Sequence, residues 1–143
     1  MDVRKLLESH KEIDDRIELG LEEIARLRSL AERVTRHITL DADHGKGGHS
    51  DRVGDYAVKI AALELKIDRE IDRLVELREK IMSIVQSLDS DTERIIIERR
   101  YILHESNEAV AERLGYSPRH VTRMHRNALM KLEKIYNDEA QIA

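Results

Sequence analysis

The sequence predicts an all-α protein: a long antiparallel helical hairpin, similar to a coiled coil, followed by a small helix-turn-helix domain. Aliphatic residues recur at steps of three and four over two long stretches, and capping residues divide the last third into short helices. Composition agrees, because 38% of the residues are charged, only 3% are aromatic, and Trp and Phe are absent. Burial must come from aliphatic stripes, which suits a thin helical architecture better than an enzyme with a deep pocket.

The first helix is predicted from a single apolar seam. Its period is roughly 3.5 residues over about five heptads, as in a coiled coil. His10 and Gly20 are its weak positions; His10 is interpreted either as a packed polar residue that sets the register or as a pH-sensitive group. The seam contains Val3, Leu6, His10, Ile13, Ile17, Gly20, Ile24, Leu27, Ala31, Val34 and Ile38.

A Gly-rich polar segment then predicts a mobile connection at 41–50, and Ser50 is expected to cap the second helix. Each helix should run for about 38 residues, or roughly 57 Å, so two equal amphipathic helices are expected to fold back on each other over residues 1–88. Leu63, Leu77 and Ile84 are placed beside the second seam. That seam is predicted to contain Val53, Ala57, Ile60, Ile67, Ile71, Leu74, Ile81, Val85 and Leu88.

Two helices alone bury only a narrow strip, and apolar side chains remain on the flanks at Leu19, Leu21, Leu63 and Leu77. These flanks predict a partner surface, either for a homodimer through the hairpin or for another protein. The simpler interpretation is an ordinary helical core.

Residues 89–143 are predicted to form the helix-turn-helix domain. Asp89, Ser90 or Asp91 can cap its first helix, and Ser106 can cap the second, which Gly115 should end. Ser117 can cap the last helix, with the chain's single Pro, Pro118, at its first position, and that helix should reach about Tyr136. The core candidates of the first of these helices are Ile95, Ile96, Tyr101, Ile102 and Leu103.

Residues 107–126 fit a helix-turn-helix pattern. Ala111 is small where two helices would cross, and Gly115 allows the positive φ of the turn. Apolar groups expected to pin the two helices are Val110, Leu114, Tyr116, Val121 and Met124. In the last helix Val121, Met124 and Ala128 should face inward, with Leu129 and Leu132 extending the stripe.

The start of the last helix is predicted to bind DNA. The chain has a formal net charge of −4, but over 117–136 five Lys and Arg residues oppose a single carboxylate, Glu133. Arg can bind guanine, Thr can contact a thymine methyl, and both Arg and Lys bind phosphate. The alternative is a solvated helix face. The predicted DNA-binding residues are Ser117, Arg119, His120, Thr122, Arg123, Arg126, Asn127 and Lys131.

Residues 88–135 resemble region four of bacterial sigma factors. Arg100 and Tyr101 match an R-Y-like step, Glu108 to Ser117 match the E-x-A-x-x-L-G-x-S segment, and Val121, Ala128, Leu129, Lys131 and Leu132 match the tail. The resemblance implies recognition of a −35 promoter element by the last helix. Nothing before residue 88 resembles sigma region two, so a promoter-melting factor is not expected. The arrangement is also similar to phage and prophage sigma-like proteins and ArpU-type late-gene regulators.

Catalysis and cofactor binding are not predicted. Cysteine is absent, and the GKGG stretch lacks the earlier glycine and strand of a phosphate loop. Metal binding in the loop is disfavoured, because a Gly-rich segment does not fix ligands and the spacing matches no zinc or calcium pattern. The loop residues that were weighed are Asp41, Asp43, His44, His49 and Asp51.

The most favoured function is a sequence-specific DNA-binding transcription regulator of phage or prophage type, with double-stranded DNA as partner. One alternative is a sigma-like accessory factor that docks on RNA polymerase through the hairpin. Another is a helical interaction or structural protein that does not bind DNA. The sequence shows no signal-peptide run and no membrane span, so a cytoplasmic protein without membrane contact is expected.

Overall fold

A computed structural model describes residues 2–40 and 48–142. The described residues are almost entirely helical and contain no strand, which confirms the all-α prediction. Within these ranges there are five helices, α1 (Val3–Leu40), α2 (Gly48–Val85), α3 (Asp91–Tyr101), α4 (Asn107–Leu114) and α5 (Pro118–Ile142). The first two each have 38 residues, as the periodicity predicted. No helix in the described ranges has an apolar stretch long enough to cross a membrane.

The chain divides into two compact units. The first, the composite unit, combines Met1–Asp14 with Arg73–Ala143, and the second, the two-helix unit, is Asp15–Asp72. Each unit takes one part of α1 and one part of α2. The predicted functional boundary between residues 88 and 89 stays a prediction.

In the two-helix unit, α1 and α2 pair along their seams. Arg16 Nη2 lies 3.7 Å from Glu70 Oε2, and Arg28 Nη2 lies 2.7 Å from Glu64 Oε1. The residue numbers rise on one helix as they fall on the other, so the two segments run in opposite directions. Ile17, Ile24 and Ile67 are the buried hydrophobic residues among those described in this unit.

The predicted seam of α2 is wrong at several positions. Ala57 and Ile71 are exposed, whereas Tyr56, Leu63 and Leu77 are partly buried. Counted from Ile60 in alternating steps of three and four residues, the contact face contains Leu63, Ile67, Glu70 and Leu77. Positions 57 and 71 do not belong to this repeat. Leu63 and Leu77 are therefore seam residues, not exposed flanks, while Leu19 and Leu21 remain exposed.

The core of the composite unit combines residues from four helices. The first turns of α1 and the last turns of α2 pack with Ile97 of α3 and with the middle of α5. Leu7, Ile81, Val85 and Leu132 are almost completely inaccessible to water. The buried members are Val3, Leu6, Leu7, Ile81, Ile84, Val85, Leu88, Ile97, Ala128, Leu129 and Leu132.

A second, smaller cluster joins the last three helices. Ile96 of α3, Val110 and Ala111 of α4 and Val121 of α5 are buried together, with Leu114 and Met124 packed beside them. Four of the five apolar positions expected to pin the two helices thus lie in or against this cluster. Tyr116 is an exception, because it is 42% exposed and meets the His120 ring edge-on, with the centroids 5.0 Å apart.

The ends of the short helices follow the predicted capping residues. Ser90 Oγ accepts a hydrogen bond from the Glu93 backbone N–H, and Ser106 Oγ accepts one from Ala109 N–H. Gly115 ends α4 with a φ of 74°, in the left-handed region that glycine tolerates best.

Four further positions differ from the sequence predictions. Ile97, not Ile95, is the buried partner of Ile96, and Leu103 is exposed. Helix α2 begins at Gly48, so Ser50 lies inside it instead of capping it. Helix α5 continues to Ile142, six residues beyond the predicted end, because no Gly or Pro interrupts it.

His10 is buried in the composite unit, with its ring centroid 5.1 Å from that of His104 in the α3–α4 connection. His104 has a φ of 59°, and its Nε2 lies 3.1 Å from Asp14 Oδ2. Burial lowers the pKa of His10 below its usual value, and the nearby His104 and Arg78 lower this pKa further against the opposing effect of Asp14. His10 is thus a packed seam residue whose environment also favours the neutral ring.

Candidate nucleic-acid interface

The first turn of α5 is fixed by local hydrogen bonds. Ser117 Oγ accepts from the His120 backbone N–H at 3.2 Å, and Pro118 occupies the first helical position, where no N–H is needed. On the other side of the turn, Tyr116 N–H donates to the Ala111 carbonyl at 3.0 Å. These bonds set the direction in which α5 leaves α4.

Helix α5 has two contrasting faces. Val121, Ala128, Leu129 and Leu132 are buried, as predicted. The opposite side of the first three turns forms a recess of about 470 Å³. The residues described as lining this recess are Ser117, Arg119, His120, Thr122, Arg123 and Arg126, six of the eight predicted DNA-binding residues. We call these six residues the cationic surface.

The other two predicted residues lie further along α5, outside the cationic surface. Asn127 is exposed to solvent. Lys131 Nζ lies 2.8 Å from Glu93 Oε1, so part of its charge is compensated by a carboxylate that is itself largely buried. This ion pair reduces the charge that Lys131 can offer to an external anion.

The guanidinium groups of the cationic surface have no compensating acid among the described residues. Arg119, Arg123 and Arg126 form no ion pair there, although several other arginines do. Arg123 Nη2 donates a hydrogen bond to His120 Nδ1 at 2.9 Å. His120 therefore accepts at Nδ1 and carries its proton on Nε2, which orients the imidazole and the guanidinium together.

Thr122 is tied to the protein by its hydroxyl group. Thr122 Oγ1 donates to the Pro118 carbonyl at 2.9 Å and accepts from Asn107 Nδ2 at 3.3 Å. The second bond links the start of α4 to the start of α5, so the side chain has one fixed rotamer while remaining exposed.

His125 faces the interior and does not join the other basic groups of this stretch. Its Nε2 lies 2.7 Å from Tyr101 Oη, and the two rings are stacked with centroids 5.5 Å apart. Burial lowers the pKa of His125 to about 4, and the charges of Arg100 and Arg4 act in the same direction. Burial likewise raises the pKa of Tyr101. The spacing of His125, four residues after the inward Val121, placed it on the inner face of α5 but did not identify Tyr101 as its partner.

Clusters of potential metal ligands were sought among the described residues. No group of three or more His, Cys, Asp or Glu side chains is placed there to hold a metal ion. Most of the loop weighed above as a metal site, including Asp41, Asp43 and His44, lies outside the described residues.

Comparison with known proteins adds no relative: no family model, no curated protein and no solved structure matches the chain.

Proposed function

We propose that the protein is a sequence-specific DNA-binding transcription regulator of phage or prophage type. In this proposal α4 and α5 form a helix-turn-helix that resembles sigma region four, and the first half of α5 enters the major groove. The observation that carries the proposal is the cationic surface, where three arginines without acidic partners gather with three polar side chains on one helix face.

The chemistry of this surface suits a DNA groove. In a helix-turn-helix, the N-terminal residues of the second helix contact base edges, and Arg119, His120 and Thr122 occupy that part of α5. An arginine can bind the O6 and N7 atoms of guanine with two hydrogen bonds, or it can bind phosphate. An exposed face meant only for solvation would usually carry charges of both signs, and none of the described residues that line this recess is a carboxylate.

The double variant Arg123→Ala with Arg126→Ala tests the proposal. We expect the intact protein to bind duplex DNA with an affinity that falls steeply with salt, with a log–log slope of about −0.9 for each phosphate contact. The double variant should lose this binding in fluorescence anisotropy. A matched control is Arg33→Ala with Arg36→Ala, which removes two exposed arginines at the same spacing from α1 and should leave binding unchanged. Equal affinity of the two double variants would contradict the assigned surface.

A second candidate is a sigma-like accessory factor, favoured by exposed apolar side chains in the two-helix unit. We propose that α1 and α2 form an antiparallel hairpin and that these side chains meet RNA polymerase. Leu21 lies seven residues before Arg28 on α1, and Ile71 lies seven residues after Glu64 on α2, beside the Arg28–Glu64 ion pair. Their side chains are 54% and 41% exposed. The same side of the two helices thus exposes two large apolar side chains to water, as a surface that binds another protein would.

Leu21→Glu with Ile71→Glu in the full chain tests this candidate. If the apolar pair docks on polymerase, the wild-type protein should capture RNA polymerase and the variant should not, with DNA binding unchanged. If the pair forms a homodimer, light scattering should instead show a dimer that the variant converts to a monomer. A monomeric protein that captures no polymerase would exclude both uses of this surface.

A further inference from the structure

We infer that Thr122 recognises the 5-methyl group of a thymine in the major groove through its own methyl group. This inference rests on the proposed function and specifies one contact within it. The argument starts from the hydroxyl group, because an exposed threonine on a reading helix could contact a base in either of two ways. Its hydroxyl could form a hydrogen bond to a base edge, or its methyl could pack against thymine.

The hydroxyl group already has two protein partners. Its single hydrogen is donated to the Pro118 carbonyl, and its oxygen accepts from the Asn107 side-chain amide. Contacting a base with this group as donor would break the bond to Pro118. The oxygen keeps one further lone pair, so the hydroxyl could accept a bond from a base donor but has no hydrogen left to donate.

The methyl group is the apolar part of this side chain. Thr122 is exposed and lines the recess of the cationic surface. The two hydrogen bonds favour one χ1 rotamer, so little conformational freedom is lost when the methyl meets a partner. In the major groove, thymine is the standard base that presents an apolar group.

The neighbouring side chains make this contact specific. Arg119, Arg123 and Arg126 offer hydrogen-bond donors alone, which suit phosphate oxygens or guanine. Thr122 is therefore the apolar contact point within an otherwise polar surface. The chemical class that fits it is a 5-methylpyrimidine, and uracil in the same position lacks the group it would touch.

The test removes the methyl group from the DNA and from the protein in separate experiments. The probe is the tightest duplex recovered from a randomised DNA library, in which each thymine is replaced in turn by deoxyuridine. For the wild-type protein, we expect one replacement to weaken binding about three- to fivefold, the effect of losing one buried methyl contact. Thr122→Ser, which keeps the hydroxyl, should bind the thymine duplex more weakly by a similar factor and should no longer distinguish uracil at that position.

Thr122→Val supplies the converse test, because it keeps a methyl and lacks the hydroxyl. It should still distinguish thymine from uracil, even if its overall affinity falls. Thr35→Ser on α1 is a matched control, since Thr35 Oγ1 donates to the Ala31 carbonyl in the same i−4 pattern. This control should retain full thymine discrimination.

The outcomes separate the inference from the proposed function. If duplex binding is present but no thymine replacement matters, or if Thr122→Ser discriminates as well as wild type, the methyl contact is overturned and DNA recognition stands. If the wild-type protein binds no duplex, the proposed function fails and the inference fails with it. Circular dichroism of each variant excludes misfolding as the source of a lost effect.

Discussion

The two compact units differ in how completely they bury their apolar side chains. In the composite unit, side chains such as Ile81, Ile97 and Leu132 are fully buried because helices approach from several directions. In the two-helix unit, the buried hydrophobic residues among those described are three isoleucines on one seam, and Leu19 remains 64% exposed. A seam between two helices has open sides, whereas a core enclosed by several helices does not. The same aliphatic composition therefore produces a dense core in one unit and a narrow contact in the other.

Deleting a core side chain should show the largest difference between the units. Leu132→Ala in the composite unit should lower the free energy of unfolding by about 2–5 kcal/mol, because the cavity is enclosed. Ile17→Ala in the two-helix unit should lower it by about 1–2 kcal/mol, because water reaches the edge of the seam. Urea denaturation with site-resolved hydrogen exchange measures both, with Leu19→Ala as a near-neutral control. Equal losses in the two units would contradict this contrast.

Acidification should destabilise the composite unit selectively. His125 has its pKa lowered to about 4 by burial, and the pKa of His10 is lowered as well. The unfolded chain binds protons at the ordinary histidine value of about 6.5, so stability is present above that pH and is lost as the pH falls toward 4. We expect a loss of about 1–2 kcal/mol between pH 7 and pH 5 from His125.

The variant His125→Gln should reduce this pH dependence, because glutamine cannot titrate. The wild-type protein, measured at the same two pH values, is the reference. The midpoints of urea unfolding at the two pH values measure the effect. If stability depends on pH as strongly in His125→Gln as in the wild type, another group causes the acid sensitivity.

Gly20 shows how closely the two helices pack in the two-helix unit. A Cβ at this position would lie 2.9 Å from Ile67 Cγ1 and Cδ1, closer than normal contacts allow. We expect Gly20→Ala to destabilise this unit by about 1 kcal/mol, because overpacking outweighs the better helix propensity of alanine. In an Ile67→Ala background the same substitution should become stabilising by about 0.5–1 kcal/mol. Thermal unfolding of the four proteins measures the sign change, and its absence would exclude close packing as the reason for the glycine.

Neutralising one carboxylate in each unit should change the free energy of unfolding least. Glu93 is largely buried beside Lys131 and lies in the first turn of α3, so Glu93→Gln should destabilise by about 1 kcal/mol. Glu64→Gln, at the exposed pair with Arg28, should change stability by about 0.3 kcal/mol or less. Thermal unfolding at low and high salt compares the two variants. A larger effect at Glu64 would show that burial does not set the strength of these pairs.

Local signals in the sequence predicted the short helices well. Ser106, Gly115 and Ser117 act through hydrogen bonds or backbone angles that span only a few residues, so their roles can be recognised without knowing the fold. For α3 the sequence left three neighbouring caps open, and the structure selects Ser90. Every predicted seam position of α1 is buried or partly buried, His10 and Gly20 included, because the heptad spacing of this helix is regular.

The seam of α2 could not be predicted with the same accuracy. Ile71 looks like a seam residue in the sequence, and Glu70 looks like a solvated charge. The structure reverses their positions, because Glu70 can lay its aliphatic stem on the seam while its carboxylate approaches Arg16. Only the partner helix decides which of two neighbouring positions faces inward.

The sequence by itself determined the all-α class, the two 38-residue helices, the caps and the cationic character of early α5. These properties depend on residues close together in the chain. Tertiary structure alone decided that His125 meets Tyr101, that Lys131 pairs with Glu93, and that the first turns of α1 complete the core around α5. Such contacts join residues far apart in sequence, and their burial changes charge and proton affinity in ways that no local pattern encodes.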